Sequence, residues 1–254
     1  MNLDDQTSIT NSLTQYGFFY YPIDGDTNKA MDGIVEYAKD YFSCSNEIKM
    51  KQLIDKTGIG YSPLMALKLH PDKIDMKESY SYRINTTDNH LLNRHYQLMS
   101  SIAKKIFIKI LETINMDPTD YVNKALGTLT LIHYPVLKDA MQNVVGCSEH
   151  TDWGFITLLY TTTSGLQIKV DDDWIDVPMK ENHLIVNIGN MLELLSGSRY
   201  KSTEHRVTTQ KEKYSVAYFF EPGLDCIISS PSGDKLVNFG EYLQNKLKTH
   251  YWDN

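Results

Sequence analysis

The hydrophobic period of this chain changes once, near residue 125, and that change limits the folds open to it. Before it, apolar residues recur at helical spacing. Met31, Ile34, Val35, Ala38, Tyr41 and Phe42 form one stripe, with Asp26 or Thr27 placed to cap its start. Asn89 to Asn115 carries the longest stripe, through Leu92, Tyr96, Met99, Ala103, Ile106, Ile110 and Ile114. A short helix is expected over Ser8 to Gln15, ending near Gly17. The aromatic run Phe18 to Pro22 reads as a strand stopped by proline. Beyond the switch the period is two. Thr128 to Pro135 alternates Thr with Leu or Ile. Strand-like runs follow at Phe155–Thr161, Leu166–Val170, Trp174–Val177, Leu184–Ile188, Glu204–Thr208, Tyr214–Phe220 and Cys226–Ser229. Turns such as Asp171-Asp172-Asp173 and Gly189-Asn190 separate many of them. An amphipathic helix, Glu241 to Tyr251, closes the chain. The expected fold is α+β, mainly β, with N-terminal helices packed on one side of a jelly roll. One domain over residues 1–254 is expected, with a mostly helical part (1–125), a jelly-roll core (126–235) and a C-terminal helix (236–254).

Composition narrows the function classes. Hydrophobic residues are 41% and charged residues 22%, as in ordinary globular proteins. The formal net charge of −7 argues against a phosphate-tracking, nucleic-acid-binding surface. Three scattered cysteines, Cys44, Cys147 and Cys226, form neither a disulfide framework nor a zinc cluster, and fit a reducing compartment. The N-terminus is acidic and polar, and no apolar run reaches the roughly 20 residues of a membrane span. A cytoplasmic protein without membrane attachment is expected.

The chemistry concentrates in His150-Thr151-Asp152 and, much later, His205. Two imidazoles and one carboxylate can occupy one face of a six-coordinate Fe(II), leaving the other face open for substrate and O2. On an extended backbone residues i and i+2 point the same way, so His150 and Asp152 can reach one ion. His133 is expected to point away from that face, because it alternates with Tyr134. Gly58-x-Gly60 lacks the lysine and the setting of a phosphate loop. Asp171 to Asp173 lacks the spaced ligands of a calcium loop and reads as a solvated turn.

What surrounds the triad resembles a known family. His150-Thr151-Asp152-Trp153-Gly154-Phe155 is similar to the metal-binding strand of the Fe(II)/2-oxoglutarate-dependent dioxygenases, in their isopenicillin N synthase-like branch. Gly165-Leu166-Gln167-Ile168, Trp174 to Pro178, Asn187-Ile188-Gly189-Asn190, Arg199 to Val207 and Tyr214 to Phe220 resemble later segments of that family in order. Gly17-Phe18-Phe19, Gly60 to Pro63 and Lys77 to Tyr80 resemble earlier ones. The resemblance implies a double-stranded β-helix and an oxidation, by hydroxylation, desaturation or cyclisation, of a small organic molecule. The implied cofactor is Fe(II) on His150, Asp152 and His205, and the implied cosubstrate is 2-oxoglutarate, released as succinate and CO2. Lys213 and Ser215 stand where the family has an Arg-x-Ser clamp for its carboxylate. Lysine there is a departure, since it offers a point charge instead of a two-pronged grip. Arg206 and Lys211 are nearby helpers. Tyr134 matches a tyrosine that reaches the cosubstrate, although the family's partner asparagine is Ile132 here. Phe220 and Tyr61 are expected in the substrate pocket. Two other readings stay open: an iron and O2 oxidase that does not use 2-oxoglutarate, and a non-catalytic jelly-roll binding module.

Overall fold

A computed structural model of the chain describes residues 6–136, 143–208 and 211–252. Helix α1 (Gln6–Gln15) leads into β1 (Phe18–Pro22), α2 (Gly25–Ser43) and the short α3 (Asn46–Met50). Strands β2 (Gly60–Ser62), β3 (Ile74–Asp75) and β4 (Glu78–Tyr82) precede the long α4 (His90–Glu112) and α5 (Thr119–Lys124). Then come β5 (Leu126–Tyr134), β6 (Val144–Val145), β7 (Cys147–His150), β8 (Ile156–Thr161), β9 (Leu166–Val170), β10 (Asp173–Val177) and β11 (His183–Ile188). After α6 (Asn190–Leu195) follow β12 (His205–Val207), β13 (Lys213–Glu221), β14 (Ile227–Ser229), β15 (Leu236–Asn238) and α7 (Phe239–Leu247). The last turns, Lys248–Trp252, are π-helical.

The expected helices form with small corrections at their ends. Asp24, not Asp26 or Thr27, caps α2, its carboxylate accepting from the Thr27 N–H at 2.8 Å. Asn89 caps α4 by accepting from the Leu92 N–H. The α4 stripe is buried at Leu92, Met99, Ala103, Ile106 and Ile110. Each large apolar side chain removed from water there stabilises the fold by about 1.5–3 kcal/mol.

Two sheets carry the fold. A seven-stranded sheet has the order β1-β11-β8-β13-β5-β4-β2, and a four-stranded sheet has the order β10-β9-β12-β7. Their pairings are antiparallel, whereas the two-residue strands β3 and β6 pair in parallel. The part before residue 125 is therefore not a separate helical layer, because β1, β2 and β4 are strands of the main sheet. Alternation divides the main sheet into two faces. Leu129, Leu131, Val216, Tyr218 and Phe220 pack against Met31, Ile34, Met99 and Ile106 of the helices. Ile132, Tyr134, Ile185 and Ala217 face the small sheet and meet its Cys147, Leu166, Ile168 and Val207. The layers are helices, large sheet and small sheet, and the site lies between the two sheets.

Candidate metal and substrate site

His150 ends β7 and His205 begins β12, and the antiparallel register sets them directly opposite one another. Their ring centroids are 4.3 Å apart. Asp152 lies just past the end of β7, in a turn rather than on the strand. Backbone bonds dock that turn onto the junction of β11 and α6. The Asn190 N–H donates to the Asp152 carbonyl at 2.8 Å and the Met191 N–H to that of Gly154 at 3.0 Å. Gly189 permits this approach, since a Cβ there would lie 2.4 Å from the Gly154 carbonyl oxygen.

The three side chains offer donor atoms within 4.8 Å of one another. Asp152 Oδ1 is 3.9 Å from His150 Nε2 and 3.8 Å from His205 Nε2. Each imidazole is oriented by a backbone carbonyl: His150 Nδ1 lies 2.7 Å from Ser148 O, and His205 Nδ1 3.0 Å from Thr203 O. A carbonyl only accepts, so Nδ1 carries the proton and the Nε2 lone pair faces Asp152. The carboxylate is fixed in the same manner. Its Oδ2 accepts from the Thr157 hydroxyl and from Asn187 Nδ2 at 2.7 Å, which leaves Oδ1 aimed at both rings. Burial holds the His150 pKa below its ordinary value. Burial, and then the neighbouring His150, push His205 down to about 4. Burial pushes the Asp152 carboxyl up, but the two imidazoles, Asn187 and Thr157 outweigh it and keep it below the usual range. Neutral imidazoles and an ionised carboxylate are the protonation states that a divalent cation needs. This donor set fits Fe(II).

Lys213, Ser215 and Tyr134 come together between the sheets. Lys213 is the register partner of Tyr134, and Ser215 of Ile132, so all three share the inward face. Lys213 is 1% exposed, and its ammonium donates to the backbone carbonyls of Thr163 and Ser164. Burial lowers its pKa from 10.5 to about 8. Ser215 shares a hydrogen bond of 3.1 Å with Thr161 Oγ1. Beside them, the Thr163 hydroxyl is buried without a hydrogen-bond partner among the described residues. A desolvated cation with no counter-ion among the described residues, three hydroxyls and an orphaned polar atom fit the carboxylate of 2-oxoglutarate. Arg206 lies elsewhere, since it bonds Gln167 at 2.8 Å and stacks over Trp174.

A cleft of about 140 Å³ opens beside His150 and Asp152. Its walls include Leu67, Leu69, Lys77, Ser79, Ser81, Arg83, Thr128, Thr130, Phe219, Glu221, Leu243, Leu247 and Tyr251. Neither expected pocket residue is among them. Phe220 faces the helices, against Phe107 and Phe155, and its neighbour Phe219 is the one turned inward. Tyr61 donates to Glu78 at 2.5 Å within a buried cluster that also holds Lys49 and His133. His133 points there, as alternation required. Both corrections have one cause: strand parity decides the face, and the two aromatics have the parity of the helical core. Asn187, Thr157, Thr161 and Thr163 were not singled out by their sequence. Asn187 had a signal in its Asn-Ile-Gly segment, while the threonines gain their place only through strand pairing.

Comparison with known proteins agrees with this site. Residues 126–222 match the 2OG-Fe(II) oxygenase superfamily, and residues 6–101 match the N-terminal region described as non-haem dioxygenase in morphine synthesis. Together the two matches span most of the chain. 1-Aminocyclopropane-1-carboxylate oxidase 3 of Arabidopsis thaliana is 28% identical over 250 residues, covering 89% of this chain and 76% of the relative. Homoarginine-6-hydroxylase of Glycine max is 25% identical over 293 residues, covering 96% and 88%. Full-length Neurospora crassa T7H in complex with alpha-KG and thymine superimposes with a TM-score of 0.85 at 24% identity, covering 97% of this chain and 91% of that one. The likeness in structure shows a shared fold, and the family matches carry the chemistry. The chain belongs to the 2OG-Fe(II) oxygenase superfamily and is a 2-oxoglutarate-dependent dioxygenase, an oxidoreductase with Fe(II) as cofactor.

Proposed function

We propose that this dioxygenase oxidises a small organic molecule held in the cleft beside His150 and Asp152, with hydroxylation as its outcome and desaturation or cyclisation as variants of it. His150, Asp152 and His205 hold the iron. Lys213 and Ser215 hold the far carboxylate of 2-oxoglutarate, with Tyr134 and Thr163 beside them. When bound, iron and 2-oxoglutarate supply the activation of O2, with release of succinate and CO2. The protein's own contribution is position: carbonyls of Ser148 and Thr203 turn the imidazoles, Asn187 and Thr157 turn the carboxylate, and the cleft keeps the substrate beside them. The observation that carries this reading is the convergence of the His150 Nε2, His205 Nε2 and Asp152 Oδ1, with His150 and Asp152 also lining the cleft. The interleaved helices, large sheet and small sheet support one jelly-roll domain over the whole chain. Among the described residues no helix is long and apolar enough to cross a membrane. The three unpaired cysteines support a reducing, cytoplasmic setting.

The test is anaerobic titration with Fe(II), followed by succinate measurement in air. One Fe(II) per chain is expected, lost in His150→Ala and in Asp152→Ala. Succinate is expected to form from 2-oxoglutarate in the wild type. Iron binding retained in both variants would overturn the ligand set. Iron-dependent oxidation without succinate would replace the reading by an O2 oxidase, a word that already appears in the names of several relatives.

A further inference from the structure

One end of the cleft holds a charge pair for which the iron and 2-oxoglutarate sites have no use. Arg83 follows β4 and Glu221 ends β13, with β5 between them. Both line the cleft that His150 and Asp152 line. Arg83 Nη2 and Glu221 Oε2 are 3.7 Å apart, a single loose contact, and the side chains are only 17% and 8% exposed. Thr128 bridges them: its hydroxyl accepts from Arg83 Nε at 3.2 Å and donates to Glu221 Oε2 at 3.0 Å. Burial holds the Glu221 carboxyl above the ordinary range, against the pull of Arg83 and Thr128. The other cation of the cleft, Lys77, is engaged elsewhere, with Cys147 Sγ at 3.0 Å and under the influence of Asp75. The cleft is also lined by four hydroxyl-bearing residues, Ser79, Ser81, Thr128 and Thr130. Apolar lining comes from Leu67, Leu69, Phe219, Leu243 and Leu247.

We propose that Arg83 and Glu221 recognise the substrate, and that the substrate is a small α-amino acid with an apolar remainder. This rests on the oxygenase reading above. Desolvating two charges costs several kcal/mol each, and one loose contact offsets little of that. A lone carboxylate at Arg83 would meet Glu221, and a lone ammonium at Glu221 would meet Arg83. A zwitterion presents both charges about one carbon apart. It exchanges the loose pair for two charge-assisted hydrogen bonds, made by groups already ordered and dehydrated. The apolar side chain then lies along the leucines and Phe219, and the small cleft limits its size.

The experiment uses the enzyme with Fe(II) and 2-oxoglutarate and follows succinate. The probes are the protein amino acids, 1-aminocyclopropane-1-carboxylate and homoarginine, each beside its decarboxylated amine and its deaminated acid. Slow succinate formation without any probe reports the oxygenase reading, and stimulation by a probe reports this inference, so the two failures differ. At least one small apolar amino acid should stimulate turnover tenfold or more, and its two singly charged halves should not. Stimulation by homoarginine or other charged amino acids alone would overturn the proposal. For that amino acid, Arg83→Gln and Glu221→Gln should each raise KM tenfold or more, with a smaller change in kcat. Basal turnover that no amino acid stimulates would overturn the proposal. So would equal stimulation by a singly charged half, or an unchanged KM in folded Arg83→Gln and Glu221→Gln. Absence of basal turnover from the iron-loaded protein would overturn the oxygenase reading and this inference with it.

Discussion

Among the described residues, the Lys213 ammonium meets backbone carbonyls and no carboxylate. That environment fixes two opposite responses to pH. The folded pKa is about 8 against 10.5 for the free side chain, so between these values the unfolded chain binds more protons. Through this group, stability therefore rises as pH climbs across that window. Affinity for 2-oxoglutarate should move the other way, because the neutral amine has no charge to offer. One unit above the pKa, roughly a tenth of the lysine is protonated, and the apparent Kd should rise about tenfold. Lys213→Arg should remove that rise, since guanidinium stays charged. A Kd titration of both proteins across this range checks it; a parallel rise in the arginine variant would place the titrating group elsewhere. Thr163 adds a separate test. Thr163→Val replaces an unsatisfied hydroxyl by a methyl group of similar size, so Tm should hold or increase without 2-oxoglutarate. Affinity for 2-oxoglutarate should fall by about tenfold, as expected for losing a bond to a charged group.

At the scale of elements, the iron site depends on how one turn docks against β11 and α6. Gly189→Ala would put a Cβ 2.4 Å from the Gly154 carbonyl oxygen. The turn that carries Asp152 must then shift. Overpacking of this kind costs about 1–3 kcal/mol, so a lower Tm and weaker Fe(II) binding are expected together. Asn187→Ala separates the two effects. It removes one of the bonds that orient Asp152 and should cost 10- to 100-fold in Fe(II) affinity with a smaller loss of Tm. Calorimetric melting and Fe(II) titration of both variants test this; unchanged Fe(II) affinity in Asn187→Ala would remove Asn187 from the site. These elements also mark what could be read from the chain alone. β1, β9 and the α2 and α4 stripes follow from period and turn chemistry, and His150, Asp152 and His205 from their residue types and context. Parity was the harder quantity. The family resemblance put Phe220 in the pocket, but the alternation that turns Lys213 and Ser215 inward along β13 turns Phe219 to the cleft and Phe220 to the helices. Thr157 and Thr163 carry no local signal, because their roles arise from chains brought together by pairing.

At the scale of the molecule, elements from the N-terminal and C-terminal parts both reach the layer between the sheets. The N-terminal part contributes β1 and β4, and the C-terminal helix contributes Leu243, Leu247 and Tyr251 to the cleft. The amphipathic pattern carried that helix on to Tyr251 but did not show the π-helical form of its last turns, which bring Tyr251 to the cleft wall. His250 fastens this continuation. Its Nδ1 donates to the Lys68 carbonyl at 2.8 Å, and the Lys68 N–H donates back to the His250 carbonyl at 3.1 Å. Its ring stacks on Trp153, next to Asp152, with centroids 5.6 Å apart and planes 13° from parallel. The π-helical turns are thus tied to Trp153, the residue that follows Asp152 of the proposed iron site. His250→Ala removes the side-chain hydrogen bond and the ring contact, and leaves the backbone bond. The two lost interactions are worth about 0.5–1.5 kcal/mol each, so a small decrease in Tm is expected. The cleft should suffer more than the fold. With its wall loosened, substrate KM should rise several-fold, and succinate should form in excess of oxidised substrate as water gains entry. His250→Phe keeps the ring and loses only the bond to Lys68, so it should recover much of the coupling. Tight coupling of succinate to product in His250→Ala would show that the C-terminal turns are a passive cover.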